Sequence, residues 1–119
     1  MANDKKEKFY TALLTAKKVI DDKFGFDVVM LDVSCVSTLA DYFIIASANN
    51  SVQMKAIADA VEETLNKSGI KPRHTEGGAA SSWYLIDYNG LIVHIFTKEA
   101  REFYNLEELW GNAEVIDDE

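Results

Sequence analysis

Cysteine and proline are almost absent from this chain: one of each in 119 residues, with only six glycines. A single cysteine excludes an internal disulfide and suits a reducing compartment, and Cys35 is expected to sit in the core as a small hydrophobe. Long apolar runs are lacking too, so nothing approaches the roughly 20 residues that a membrane span needs. The opening stretch, Met1 to Lys8, is polar with mixed charge, unlike a secretory signal or an Arg-rich transit peptide. Positive charge is also scarce. Twelve Lys and Arg face twenty Asp and Glu, a formal charge of −8. Such a surface repels phosphate backbones, which argues against direct nucleic-acid binding and favours a basic protein partner.

What is present is the balance of an ordinary globular domain, 48% hydrophobic and 27% charged. That length supports one core without metal or disulfide staples. Apolar residues recur near a 3.6-residue period at Phe9, Leu13, Ala16, Ile20 and Phe24, which predicts an amphipathic helix capped at Asn3 or Asp4 and stopped at Gly25. Two β-branched runs follow, Asp27 to Val33 and Tyr42 to Ala46, joined by the polar link Ser34 to Thr38. Asn50 with Gln53 has the spacing of a capping box for a helix carrying Met54, Ile57, Ala58, Val61 and Leu65, ended by Ser68 and Gly69. Ile70 to His74 reads as a short strand that Pro72 confines to an edge. Glu76 to Ser82 reads as a loop.

Trp83 to Tyr88 and Leu91 to Phe96 flank Asn89-Gly90, the dipeptide best suited to a type I′ turn, and predict a β-hairpin. A two-residue loop pairs Asp87 with Ile92 and, at the far end, Trp83 with Phe96. Alternation then places Tyr84, Ile86, Tyr88, Leu91, Val93 and Ile95 on an apolar face suited to packing under helices. Trp83, Leu85, Asp87, Ile92, His94 and Phe96 share the other face. This mixed aromatic and polar set suits either an interface core or cover by the C-terminal helix. Thr97 is placed to cap a helical turn through Ala100 to Tyr104. Asn105 with Glu108 is placed to cap another carrying Leu106, Leu109 and Trp110. The expected organisation is one domain over residues 1–113 and a frayed acidic tail over 114–119. The expected architecture is an α/β fold with a mixed sheet of four or five strands flanked by helices.

Catalytic constellations are weak. Asp87 and His94 are diagonal neighbours roughly 7 to 8 Å apart by sheet geometry, close to a dyad, but no nucleophile sits beside them. His74, His94 and Cys35 lack metal-ligand spacing. Gly77-Gly78 belongs to no phosphate-binding fingerprint. Asp32 and Asp41 adjoin apolar runs, and an alternative reading pairs them on a metal for nucleotidyl or phosphoryl transfer. Neither forms a D-x-D pair. No catalytic residue, metal or cofactor is therefore assigned.

Three segments, taken together, resemble the ribosomal silencing factor (RsfS, or Iojap) family. They are Leu39 to Phe43 (LADYF) with Ile44 to Ser47, Gln53 to Val61 (QMKAIADAV), and a C-terminal block. That block carries Trp83, Leu85, Asp87-Tyr88, Gly90, Val93 to Phe96, Glu99 to Arg101, Phe103-Tyr104, Leu106-Glu107 and Leu109 to Gly111. The resemblance spans roughly Asp27 to Ala113. It implies a nucleotidyltransferase-like fold without catalytic residues and a non-enzymatic cytoplasmic factor. The implied partner is the large-subunit ribosomal protein numbered fourteen, where docking blocks subunit joining and represses translation. Homodimers are also implied. Residues expected to form or border the docking patch are Trp83, Asp87, His94, Tyr104, Leu106, Glu107 and Trp110. The loop Glu76 to Ser82 departs from the acidic Glu-Gly-rich segment usual in the family.

Overall fold

The computed structural model describes residues 2–35, 37, 40–77, 81–104 and 113–116. Helix α1 (Ala2–Asp22) precedes strands β1 (Phe26–Asp32) and β2 (Tyr42–Ala48). Helix α2 (Ser51–Lys67) leads to β3 (His74–Glu76) and the hairpin β4 (Trp83–Asp87) and β5 (Leu91–Thr97). Helix α3 (Lys98–Tyr104) and strand β6 (Glu114–Ile116) complete the described elements.

The sheet runs β3-β4-β5-β2-β1-β6. Among the described strands only β2 and β5 pair in parallel, and the other neighbours are antiparallel, so the sheet is mixed as expected. Among the described residues it has six strands, not four or five. The additional strand is β6, which pairs with Met30 to Asp32 along the edge of β1. It comes from the stretch expected to fray, where Val115 and Ile116 supply β-branched residues to an open strand edge.

Helices α1 and α2 pack on one face of the sheet. Leu13, Ala16, Ile20, Met54, Ile57, Val61 and Leu65 close over Ile44, Ala46, Ile86, Val93 and Ile95 in the main core. The stripe predicted for α2 is the set of residues buried there. The cap at Asn50 also forms, its side chain accepting from the Gln53 amide at 2.8 Å. Gln53 then does more than a capping box requires. Its Oε1 accepts from the Asn49 amide at 2.7 Å, and its Nε2 donates to the carbonyls of Lys23 and Phe24 at 3.2 and 3.0 Å. One side chain thus ties the start of α2 to the turn after α1.

Helix α1 begins at Ala2, ahead of the expected caps at Asn3 or Asp4. At its other end Phe24, not Gly25, takes the left-handed conformation (φ 66°). Gly25 is required for space, because a Cβ there would meet Ile20 Cγ2 at 2.5 Å.

The hairpin has the register that a two-residue loop dictates, from Asp87↔Ile92 to Trp83↔Phe96. The turn is not type I′, since only Asn89 has a positive φ (80°) and Gly90 does not. Phe9 of α1 lies so close that a Cβ on Gly90 would come within 2.2 Å of Cδ2. Close approach, rather than backbone conformation, selects glycine there. The Gly90 carbonyl accepts from the amides of Asp41 and Tyr42, seating the start of β2 on the turn. Strand β3 is an edge strand as Pro72 implies, but it spans His74–Glu76, overlapping the expected Ile70 to His74 only at His74 and running into the expected loop at Glu76. Cys35 is exposed, against the expectation of a buried thiol. It falls in the turn after β1, outside the alternating register that buries Leu31 and Val33.

Candidate docking site

The sheet face away from α1 and α2 carries a second, smaller core. Leu31, Val33, Phe43, Ile45, Ile92 and Phe96 form its floor, and Ala100 of α3 packs onto it. Trp83, Leu85, Val29 and Ala113 are partly buried at its margin. The mixed face read from the hairpin is therefore neither wholly open nor wholly covered. Its centre is enclosed with help from α3, while Trp83 and Leu85 keep part of their surface exposed.

An aromatic cluster occupies the middle of this face. The Trp83 ring stacks on Phe96 with centroids 5.2 Å apart and on His94 at 5.7 Å, and Phe43 meets the imidazole edge-on at 5.0 Å. Trp83 Nε1 donates to His94 Nδ1 at 3.2 Å. Because Nδ1 accepts, the proton of the neutral ring sits on Nε2, and that N–H is buried with no acceptor among the described residues. His94 is 4% exposed. Burial pushes its pKa down from 6.5 to about 4, so the ring is neutral near pH 7. His94 thus lies beneath the surface, bordering the candidate patch from inside and setting the tilt of Trp83.

Asp87 does not orient His94. One carboxylate oxygen accepts from the Asn89 amide at 2.8 Å, and the other pairs with Arg73 at 2.9 Å. Arg73 also donates to the Asn89 side chain, so Asp87 is the hub of the β4–β5 turn and stands at one end of the face. Tyr104 closes α3. Leu106, Glu107 and Trp110 lie outside the described residues, as does the cap expected at Asn105. Phe43, the edge-on partner of His94, is visible in the sequence only as part of a family motif and a strand, with no signal that it belongs to the site. Arg101 likewise stands in a family motif whose spacing gives no hint of its contacts with Asp27 and Ser47.

Of the two carboxylates read for metal chemistry, Asp32 is engaged otherwise. Asp32 accepts from the Ser34 amide and hydroxyl at 3.0 and 2.6 Å and pairs with Lys6 at 3.4 Å. Burial pushes this carboxyl up, but the Ser34 hydrogen bonds and the Lys6 ammonium outweigh it and hold the pKa below the ordinary value. The neighbouring hollow, about 440 Å³, is lined by Lys6, Glu7, Tyr10, Thr11 and Tyr42. A cation already sits beside Asp32, which leaves little electrostatic demand there for a metal. No helix among the described residues is long and apolar enough to cross a membrane.

Comparison with known proteins agrees along the length of the chain. The family model described as "Ribosomal silencing factor during starvation" matches residues 6–119. Ribosomal silencing factor RsfS of Bacillus subtilis is 38% identical over 105 residues, covering 88% of this chain and 89% of that one. The chloroplastic protein Iojap of Arabidopsis thaliana is 32% identical over 115 residues, covering 97% of this chain and 48% of its own longer one. A crystal structure of a Bacillus halodurans protein superposes with a TM-score of 0.79 at 31% identity, over 94% of this chain and 99% of that one. Another, from Chromobacterium violaceum, gives 0.78 at 31% identity, over 81% and 80%. With the family model spanning nearly every residue and the fold shared with these relatives, the chain belongs to the ribosomal silencing factor family.

Proposed function

We propose that the protein docks on the large ribosomal subunit, through the ribosomal protein numbered fourteen, and prevents the small subunit from joining. Family membership along almost the whole chain carries this reading. Physical features agree with it. A net charge of −8 favours a basic partner and steers its approach. Trp83 offers a partly exposed aromatic anchor held at a fixed tilt by His94. Tyr104, Leu106, Glu107 and Trp110 extend the patch in the same reading. The mechanism is steric: a docked body covers ground that the small subunit must touch, and no covalent bond is made or broken. The protein acts in the cytoplasm, and self-association into a homodimer is part of the same proposal.

The test is a sucrose-gradient profile of purified subunits with added protein. Co-migration with large subunits and loss of paired ribosomes is expected. Normal pairing at saturating protein overturns the reading. The transferase alternative draws no support from Asp32, which is committed to Lys6 and Ser34. Calorimetry with Mg²⁺ and nucleoside triphosphates is expected to give no binding heat.

A further inference from the structure

We propose that Arg101 is a positioning residue for docking, whose guanidinium clamps α3 to the end of the sheet and holds it on the second core that Trp83 borders. The inference rests on the docking reading above.

Arg101 lies one turn into α3. Its Nη1 donates to the Asp27 carbonyl and, at 2.9 Å, to the hydroxyl of Ser47, which is buried at the end of β2. Both acceptors are prepared for it. The β1–β2 ladder steps from Phe26↔Ser47 to Val29↔Ile45, so β1 carries one extra residue there. Asp27 sits in that bulge at φ 50°, a left-handed conformation that most residues with a Cβ avoid and that Asp is among the few to adopt. A bulge removes a residue from regular pairing, and here the Asp27 carbonyl is directed to Arg101. Bulges that re-aim groups are typical of designed features rather than defects.

The helix so held is short. Lys98–Tyr104 makes barely two turns, which is marginal on its own in water. Its attachments include the Thr97 hydroxyl, accepting from the Ala100 amide at 3.4 Å, the contact of Ala100 with the second core, and Arg101. The Thr97 and Ala100 contacts act at the first turn, whereas Arg101 reaches some seventy residues back in sequence to β1. Ala100 of α3 packs onto the same second core that Trp83 borders, so the seating of the helix bears on the anchor face.

Charge alone predicts the opposite result to positioning. If the partner is basic, deleting a positive charge improves attraction, so Arg101→Ala binds more tightly on an electrostatic account. On the positioning account it binds about tenfold more weakly, since hydrogen bonds from a charged donor are lost. Ser47→Ala removes one acceptor with no change of charge and is expected to weaken binding severalfold. Arg101→Lys keeps the charge and one donor and is expected to recover most of the loss.

The experiment titrates each variant, folded by circular dichroism, against isolated large subunits in co-sedimentation. It also follows amide hydrogen exchange over residues 98–104 in the free protein. Weaker binding by Arg101→Ala and Ser47→Ala, with about tenfold faster exchange in α3 and rescue by Arg101→Lys, supports the proposal. Binding by Arg101→Ala as tight as wild type, or tighter, overturns it. So does unchanged exchange in α3, since weak binding would then reflect a direct contact. Failure of the wild-type protein to bind overturns the docking reading instead, and the exchange measurement still decides whether Arg101 holds α3.

Discussion

The Trp83 indole N–H points at His94 Nδ1 across 3.2 Å and fixes which nitrogen of that imidazole carries its proton. The ring is neutral in the fold, with its pKa pushed down to about 4 by burial, against 6.5 in the unfolded chain. Between those values the unfolded state binds the extra proton, so stability falls as pH drops from about 6.5 to about 4. The full effect of this one group is roughly 3 kcal/mol, from 1.36 kcal/mol per pKa unit. His94→Phe should remove the dependence and relieve a buried N–H without an acceptor. Urea denaturation of both proteins across that range checks this: equal slopes with pH would show that His94 is not the titrating group.

Gly90 is held against Phe9, so Gly90→Ala forces a methyl into the ring. A loss of about 1 to 3 kcal/mol is expected, the usual cost of overpacking a tight contact. In a Phe9→Ala background the same substitution should cost much less, because its steric partner is gone. Additive losses in that double-mutant cycle would place the strain in the turn itself.

Gln53 bridges two loops through its side-chain amide. Gln53→Glu retains an acceptor for the Asn49 amide but no donor for the Lys23 and Phe24 carbonyls. Gln53→Ala should cost about 1 kcal/mol or slightly more. Gln53→Glu should cost at least as much, because a carboxylate is placed beside two carbonyl oxygens. Thermal unfolding decides, and a neutral Gln53→Glu would assign the stability to the capping half alone.

The hairpin register, both sheet faces and the α2 stripe were legible because each follows from a local period, two for strands and 3.6 for the helix. The family was legible for the same reason, since its motifs lie in those regular segments. What the sequence did not disclose depends on contacts between distant residues. Gly90 looks like a turn glycine until Phe9 is set against it, and Asp87 looks like an imidazole partner until Arg73 takes its carboxylate. Strand β6 was missed because only the edge of β1 makes Glu114–Ile116 a strand. Leu106, Glu107 and Trp110 lie outside the described residues, so their place in the candidate patch rests on the sequence.

Docking by an aromatic anchor within an acidic surface has two separable signatures. Trp83→Ala deletes the stacked ring and the donor to His94, and is expected to weaken binding to large subunits at least tenfold, mainly through faster release. Trp83→Phe keeps a stacking ring without the N–H and should fall between the two. Glu107→Lys reverses a charge expected to steer a basic partner, so it should slow association and flatten the salt dependence, with less effect on release. Raising salt from 50 to 300 mM should weaken the wild type for the same reason. If folded Trp83→Ala and Glu107→Lys proteins co-sediment fully with large subunits, the ribosome meets a different face of the molecule.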